Sequence, residues 1–306
     1  MTFKFKNEII KISLNINFNM LIDLQFHSTY SDGYLTPTEL VKFISKQGIK
    51  VASLTDHNTI GGLDEFRTAC KKYKIKAITG IEIYTKLNNH KFNILWYNFN
   101  DNDPELHSIL RDSQLRRRKQ FRMLLKKLVK KGYKININKI IDKYNHYAPL
   151  NHIVDDFISI KSNFNRVKKE LNLKNPREGD IIKEYFHNKQ IKKLQNSYIS
   201  IERILKLRKK IGGQLIVCHP AKHSYINFNF FEKLKNLGID GVEIFSPHHS
   251  YGSIIYLQHL AREFNFITTG GSDFHRFEGS AHKLQYSWQY FKIDSGCLRK
   301  INKIIS

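Results

Sequence analysis

Several features that would point to other classes of protein are missing from this sequence. Cysteine occurs only three times, at Cys70, Cys218 and Cys297, and this odd, widely spaced set argues against a disulfide framework and fits a reducing, cytoplasmic setting. There is no apolar run of about eighteen residues, so we expect neither a membrane span nor a membrane partner. Residues 1–19 lack the apolar centre and the cleavage site of a secretory signal, and we interpret them as an N-terminal extension.

Acidic residues are also scarce relative to basic ones. The chain has 27 Asp and Glu against 51 Lys and Arg, which gives a formal net charge of +24. Such an excess suits a nucleic-acid ligand, because Lys and Arg neutralise phosphates. A coding bias towards A and T would also enrich lysine, and it would raise the charge without any partner. The run Arg116, Arg117, Arg118 and Lys119 is therefore either an RNA contact or a solvated helix face.

The length and apolar content of the chain are sufficient for a large α/β domain. The chain has 306 residues, 41% of them apolar, and can bury a sizeable core as one domain or as a barrel with an insertion. Short apolar runs alternate with helical patterns up to about residue 100 and again from about residue 213, which predicts right-handed parallel βα units. We therefore assign residues 20–100 and 200–306 to a barrel. Residues 101–199, which are mainly helical in pattern, would form a cap inserted into it.

Acidic and imidazole side chains follow the predicted strands. His27, Asp32, His57 and Glu82 come from the first half of the chain, and we expect them to converge at one rim of the sheet or barrel. In the second half, His219 follows the strand at 215–217, and Asp273 and His275 follow the apolar run at 264–269. Carboxylates and imidazoles are ligands for divalent metals, so the pattern predicts a metal site.

Four motifs carry a resemblance to a known family. They are Asp23-Leu24-Gln25-Phe26-His27-Ser28, Thr55-Asp56-His57-Asn58-Thr59, Gly80-Ile81-Glu82 and Gly271-Ser272-Asp273-Phe274-His275. In order and approximate spacing they resemble the signature motifs of the polymerase and histidinol phosphatase (PHP) superfamily. That resemblance implies a distorted (β/α)7 TIM-like barrel with up to three divalent metals, most often Mn²⁺, and hydrolysis of phosphate esters by a metal-activated water.

The second half narrows the resemblance to one branch. The run from Gly241 to Ser250, and Asn151-His152-Ile153 in the predicted cap, are similar to the branch that contains nucleoside 3′,5′-bisphosphate phosphatases and 5′-to-3′ exoribonucleases that trim ribosomal RNA precursors. The resemblance implies that RNA 5′ ends or nucleotides are the substrate, with no obligate protein partner evident. His152 and Arg116 to Arg118 would be substrate contacts.

The family's metal ligands can be carried over residue by residue. Glu82 would bridge two metals; Asp32, His57 and His275 would hold one, His27 and Asp273 another, and His219 the third. At the two remaining ligand positions the chain has Gln25 and Asn93 instead of histidine. Amide oxygens replace imidazole poorly on manganese, iron or zinc, so we expect one or two tightly held metals and an activity that these two residues weaken. Asp56 would orient His57, and His249 would contact phosphate or support the ligands.

Two alternatives stay open at this stage. The amides at Gln25 and Asn93 are also what a degenerate PHP barrel would show if it binds RNA or nucleotide without catalysis. A phosphatase for a small metabolite, such as histidinol phosphate, is the other alternative, and the basic cap makes it the weaker one.

Overall fold

The computed structural model describes residues 19–186, 197–224, 226–277 and 292–306. Its strands are β1 (Leu21–Phe26), β2 (Val51–Leu54), β3 (Lys76–Ala77), β4 (Gly80–Leu87), β5 (His90–Tyr97), β6 (Ile199–Ser200), β7 (Gln214–Val217), β8 (Gly241–Phe245), β9 (Ile267–Gly270) and β10 (Ile293–Asp294). Its helices are α1 (Pro37–Lys46), α2 (Leu63–Tyr73), α3 (Pro104–Lys130), α4 (Ile137–Lys143), α5 (Leu150–Ser159), α6 (Lys161–Leu171), α7 (Glu178–Ile181), α8 (Ile201–Ile211), α9 (Phe228–Asn236), α10 (Tyr251–Glu263) and α11 (Asn302–Ile305).

Two sheets join into a ring of strands. One sheet has the order β10-β1-β2-β3 and the other β6-β4-β5-β7-β8-β9. Parallel bridges link Phe26 to Phe274 and His57 to Glu82, so β1 meets the end of β9 and β2 meets β4. Within the described ranges, β1, β2, β4, β5, β7, β8 and β9 thus close a seven-membered ring. This architecture confirms the expected distorted barrel.

The direction of β5 differs from the parallel units that the sequence pattern predicts. β4 and β5 form an antiparallel hairpin, and β5 is also antiparallel to β7. Only Asn88 and Asn89 connect the two strands, and Asn88 has a left-handed φ of 54°. A two-residue loop suits a hairpin, whereas parallel neighbours need a crossover of a dozen residues or more. The hairpin therefore brings Asn93 next to Glu82 without an intervening helix.

Helix α3 connects the barrel to a separate helical layer. Its first half contributes Leu106, Ile109 and Leu110 to the barrel's hydrophobic core. Its second half contributes Phe121 and Leu125 to a second cluster that also includes residues of α5, α6 and α7. Asp103 is the N-cap of this helix, and its carboxylate accepts a hydrogen bond from the backbone N–H of Glu105 at 2.8 Å. The division into a barrel and a 101–199 cap remains a proposal, which this two-cluster packing supports.

None of the helices in the described part of the chain combines the length and the apolar character needed to cross a membrane.

Candidate metal centre

Polar side chains from most strands of the ring meet at one end of it. β1 ends before His27, β2 before His57, β7 before His219 and β9 before Asp273, while β4 supplies Glu82 from within the strand. Parallel strands place their carboxyl ends at the same edge, so residues far apart in sequence come together there. The described residues form three groups whose potential ligand atoms lie within 4.8 Å of one another: His27, Asp32, His57 and His275; His27, Glu82 and Asp273; and Glu82, Cys218 and His219.

The first group surrounds Asp32. One carboxylate oxygen of Asp32 lies 3.4 Å from His275 Nε2, and the other lies 3.5 Å from His57 Nε2. The imidazole of His27 stacks on that of His275 with ring centroids 4.2 Å apart. The set Asp32, His57 and His275, which we expected to hold one metal, is therefore assembled in the structure.

Glu82 lies at the centre of the cluster and is fully buried. Its Oε2 is 3.1 Å from His27 Nε2, and its Oε1 is 3.1 Å from His219 Nε2. Each oxygen thus belongs to a different group of potential ligands. This is the arrangement that a carboxylate shared by two cations requires.

Asp273 connects the buried groups to the open side of the site. Its Oδ1 accepts a hydrogen bond from His27 at 3.1 Å, and its Oδ2 accepts one from His248 at 2.7 Å. Lys222 Nζ lies 4.0 Å from the same Oδ2. The side chains of His248 and Lys222 are 35% and 40% exposed. The ammonium group of Lys222 and the imidazole of His248 therefore border Asp273 on the side that solvent reaches.

The two amides that replace the expected histidines both contact the central carboxylate. Gln25 Nε2 donates to Glu82 Oε2 and to Asp273 Oδ1, each at 3.1 Å. Asn93 Nδ2 donates to Glu82 Oε1. In these orientations the amide nitrogens, rather than the amide oxygens, face the carboxylates and stabilise their charge. Gln25 and Asn93 thus lie where the resemblance predicts ligands, but with donor groups facing inward.

The charges in the centre shift the pKa values of its members in opposite directions. Burial alone would raise the pKa of Glu82, but the neighbouring His57, His219 and His27 hold it well below its usual range. Burial likewise opposes protonation of His27, yet its hydrogen bonds to Asp273 and Glu82 raise its pKa well above the ordinary value. For His57, the effect of burial is larger than that of the nearby Asp32 and Glu82, and the pKa is lowered to about 4. The neighbouring carboxylates thus favour the protonated form of His27.

Two residues that we expected to support the ligands have other contacts. Asp56 accepts hydrogen bonds from the backbone N–H of Ser28 at 2.7 Å and from Ser31 Oγ at 2.6 Å. It holds the loop that carries Asp32, and no hydrogen bond to His57 is present. His249 Nδ1 donates to the carbonyl of Ile244 at 2.9 Å, so its ring is fixed against the backbone of β8.

The cap residues that we expected to contact substrate are partly structural. His152 donates to the carbonyl of Gly33 at 2.9 Å, next to Asp32, and so ties the cap to the metal-site loop. Arg117 is 8% exposed, donates to the carbonyl of Ala148 at 2.7 Å and lies over the ring of Tyr147 at 4.3 Å. Arg118 donates to two cap carbonyls. Arg116 is exposed.

The sequence analysis missed two members of the site. His248, rather than its neighbour His249, reaches Asp273, and Cys218 lies within the group around Glu82 and His219. A signal existed for each, since both follow predicted strands at the metal-site end. Consecutive loop residues have no fixed side-chain period, however, so the choice between His248 and His249 needed the structure.

The chemistry of this donor set fits divalent cations. Three buried or nearly buried carboxylates, Asp32, Glu82 and Asp273, share four imidazoles. Gln25 Oε1, His27 Nδ1 and His57 Nδ1 are buried without a hydrogen-bond partner. Folded proteins pair nearly all such atoms, so unpaired ones beside clustered acids and imidazoles indicate a missing ligand. Bound cations would be held by these residues.

Metal affinity should rise with pH. The pKa values of His27 and His275 are raised in the metal-free centre, whereas ligation requires neutral imidazoles, so binding must release protons. We expect affinity for Mn²⁺ to increase roughly tenfold per pH unit for each proton released, at pH values below the raised pKa values of these two imidazoles. Calorimetric titrations in buffers of different ionisation enthalpy measure the proton count. The number of protons released should be lower in His27→Gln and unchanged in the surface variant His259→Gln. An affinity independent of pH would contradict this charge assignment.

Comparison with known proteins agrees with the fold and with the family resemblance. Residues 23–212, more than half of the chain, match the PHP domain family model, and the match contains the first three of the four motifs. The chain is 29% identical over 257 residues to a 5′-3′ exoribonuclease of Haemophilus influenzae, covering 83% of this chain and 89% of the relative. It is 25% identical over 266 residues to a 3′,5′-nucleoside bisphosphate phosphatase of Chromobacterium violaceum, covering 83% and 87%.

A solved structure shares the same fold. A candidate metal-dependent phosphoesterase from Bifidobacterium adolescentis superposes with a TM-score of 0.70 at 19% identity, covering 83% of this chain and 87% of that one. This likeness concerns the fold, while the family match rests on the sequence itself. With the seven-membered ring and the carboxylate and imidazole cluster at its end, these findings show that the chain belongs to the PHP domain family.

Proposed function

We propose that this protein is a metal-dependent phosphoesterase that acts on RNA 5′ ends, on nucleoside 3′,5′-bisphosphates, or on both. The observation that carries the proposal is the sharing of Glu82 and His27 among three groups of potential metal ligands. Closely spaced cations suit phosphate ester hydrolysis, because they neutralise charge on the phosphate oxygens. The named activities of the Haemophilus and Chromobacterium relatives supply the substrate class.

Different residues of this chain would bind the metals, position the metal ligands and bind the phosphate in such a reaction. Bound cations would neutralise the phosphate and lower the pKa of an attacking water. Asp32, Glu82 and Asp273 would bind the cations and balance their charge. Asp56 fixes the loop that carries Asp32 through hydrogen bonds from Ser28 and Ser31. Lys222 and His248, on the open side of Asp273, are placed to bind and orient the phosphate oxygens.

The nature of the metal, the substrate and the compartment are parts of the same proposal. We propose Mn²⁺ at the Asp32, His57 and His275 group, whose nitrogen and oxygen donors suit it. For the RNA substrate, ribosomal RNA precursors are the proposed class, and the net charge of +24 favours phosphate-rich ligands. We propose a cytoplasmic location, which the free cysteines Cys70, Cys218 and Cys297 support.

A two-substrate assay tests the function. Purified protein loaded with Mn²⁺ would receive a 5′-monophosphorylated RNA and, separately, a nucleoside 3′,5′-bisphosphate. We expect mononucleotides from the RNA or phosphate from the bisphosphate, and Asp273→Ala should abolish both because it removes a buried carboxylate of the centre. Histidinol phosphate serves as the small-metabolite comparison.

The outcomes separate the alternatives. No product above the Asp273→Ala level, together with retained RNA binding, would contradict the enzyme proposal and support a degenerate barrel that only binds. Turnover of histidinol phosphate alone would overturn the substrate class and leave the phosphoesterase chemistry standing.

A further inference from the structure

Cys218 lies inside the metal centre and has no role in the family pattern described above. Its side chain is completely buried, and its Sγ is 3.4 Å from Glu82 Oε1 and 3.1 Å from Gln25 Nε2. Together with Glu82 and His219 it forms a group whose potential ligand atoms lie within 4.8 Å of one another. Cys218 belongs to the barrel's hydrophobic core cluster, but its Sγ lies beside polar groups of the metal centre.

The backbone explains how two consecutive residues reach the same carboxylate. Side chains alternate between faces along a strand, so Cys218 and His219 would normally diverge. His219 has a left-handed conformation, with φ 26° and ψ 57°, which a residue with a Cβ rarely adopts. Because the chain turns there, Cys218 Sγ and His219 Nε2 lie 3.4 Å and 3.1 Å from the same Glu82 oxygen. Backbone strain of this kind is typical of functional sites.

A second observation points to a ligand at the same place. Gln25 Oε1 is buried without a hydrogen-bond partner, while Gln25 Nε2 faces Cys218, Glu82 and Asp273. The backbone N–H of Cys218 donates to the carbonyl of Asn93 at 3.0 Å, and the side-chain amide of Asn93 donates to the same Glu82 oxygen that Cys218 Sγ approaches. The nitrogen and oxygen positions of an amide are assigned from its neighbours. A cation beside Sγ would favour the reversed amide, which directs Oε1 at the cation.

We propose that Cys218 is a metal ligand that, with His219 and Glu82, compensates for the histidines absent at Gln25 and Asn93. On binding, the thiol proton passes to solvent and Sγ bonds to the cation as a thiolate. Sulfur is a softer donor than the imidazole it stands in for, so this position prefers Zn²⁺, Fe²⁺ or Co²⁺ over Mn²⁺. The inference rests on the metal centre of the proposed function and is independent of its substrate.

Cobalt supplies a direct probe, because a thiolate bound to Co²⁺ gives a near-ultraviolet charge-transfer band that nitrogen and oxygen donors do not give. The metal-free protein would be titrated with Co²⁺ while bound cobalt is counted by elemental analysis. We expect the band in the wild type and in the double variant Cys70→Ala/Cys297→Ala, where Cys218 is the remaining cysteine. Cys218→Ser and Cys218→Ala should lose the band and bind one Co²⁺ on the order of 10- to 100-fold more weakly.

The readout separates this inference from the proposed function. If cobalt binds to the wild type without the band, Cys218 is not a ligand, although the metal centre stands. If no cobalt binds, both the inference and the metal centre are overturned. If the Cys218 variants fold poorly, the spectra of the wild type and of the Cys70→Ala/Cys297→Ala protein still show whether Cys218 binds cobalt. Circular dichroism of each variant identifies that case.

Discussion

Replacing Glu82 with glutamine should reduce kcat/KM by at least about 10²- to 10³-fold and remove most of the bound metal. The substitution keeps the shape of the side chain but removes the negative charge that His27 and His219 contact at 3.1 Å on its two oxygens. It also places an amide opposite the side-chain amides of Gln25 and Asn93, which donate to the carboxylate in the native protein. The carboxylate that the cations would share would thus become a neutral amide surrounded by the hydrogen-bond donors of Gln25 and Asn93.

The same substitution has a consequence that does not depend on activity. The hydrogen bond from His27 to Glu82 contributes to the raised pKa of His27, so Glu82→Gln should lower that pKa in the metal-free protein. Proton NMR titration of His27 would measure the change, and elemental analysis would count the metals. Glu105→Gln, at an exposed glutamate, is the matched control. A Glu82→Gln protein with native metal content and activity would show that Glu82 is not shared by the cations.

The convergence of the candidate ligands that follow strands could be predicted from the sequence, because strand ends determine where those side chains go. His27, His57 and His219 each lie one to three residues beyond a strand, and the carboxyl ends of these strands share one edge of the ring. Glu82 was found through its motif, and the parallel bridge between His57 and Glu82 brings it to the same edge. Short-range patterns were sufficient wherever the ring itself positions the residue.

Contacts made by loops and by the cap could not be predicted in the same way. Asp56 precedes His57, which favours a supporting role for that histidine, yet its carboxylate holds Ser28 and Ser31 of another loop. Arg117 belongs to a basic run that indicates exposure, yet it is buried against Tyr147 and the carbonyl of Ala148. Both outcomes depend on the packing of segments distant in sequence, which no local period encodes.

Asp32→Asn and Asp273→Asn should differ in which metal they remove. Asp32 lies 3.5 Å or less from His57 and His275, and no amide replaces an expected ligand in that group. Asp273, in contrast, shares its group with His27 and accepts a hydrogen bond from Gln25. Asp32→Asn should therefore weaken the tightest Mn²⁺ by on the order of 10- to 100-fold or more, whereas Asp273→Asn should leave that affinity unchanged and lose a weaker ion.

Both variants should lose activity, because hydrolysis needs the phosphate to meet more than one positive charge, so calorimetric Mn²⁺ titration and not turnover separates them. Asp112→Asn, at a half-exposed aspartate 3.7 Å from Arg203, is the matched control and should behave as the wild type. The reverse order of affinities would mean that the amide at Gln25 serves manganese as well as the imidazole it replaces. In that case the Asp273 group, with His248 and Lys222 beside it, would be the principal metal site, and the Asp32 group would take the secondary role.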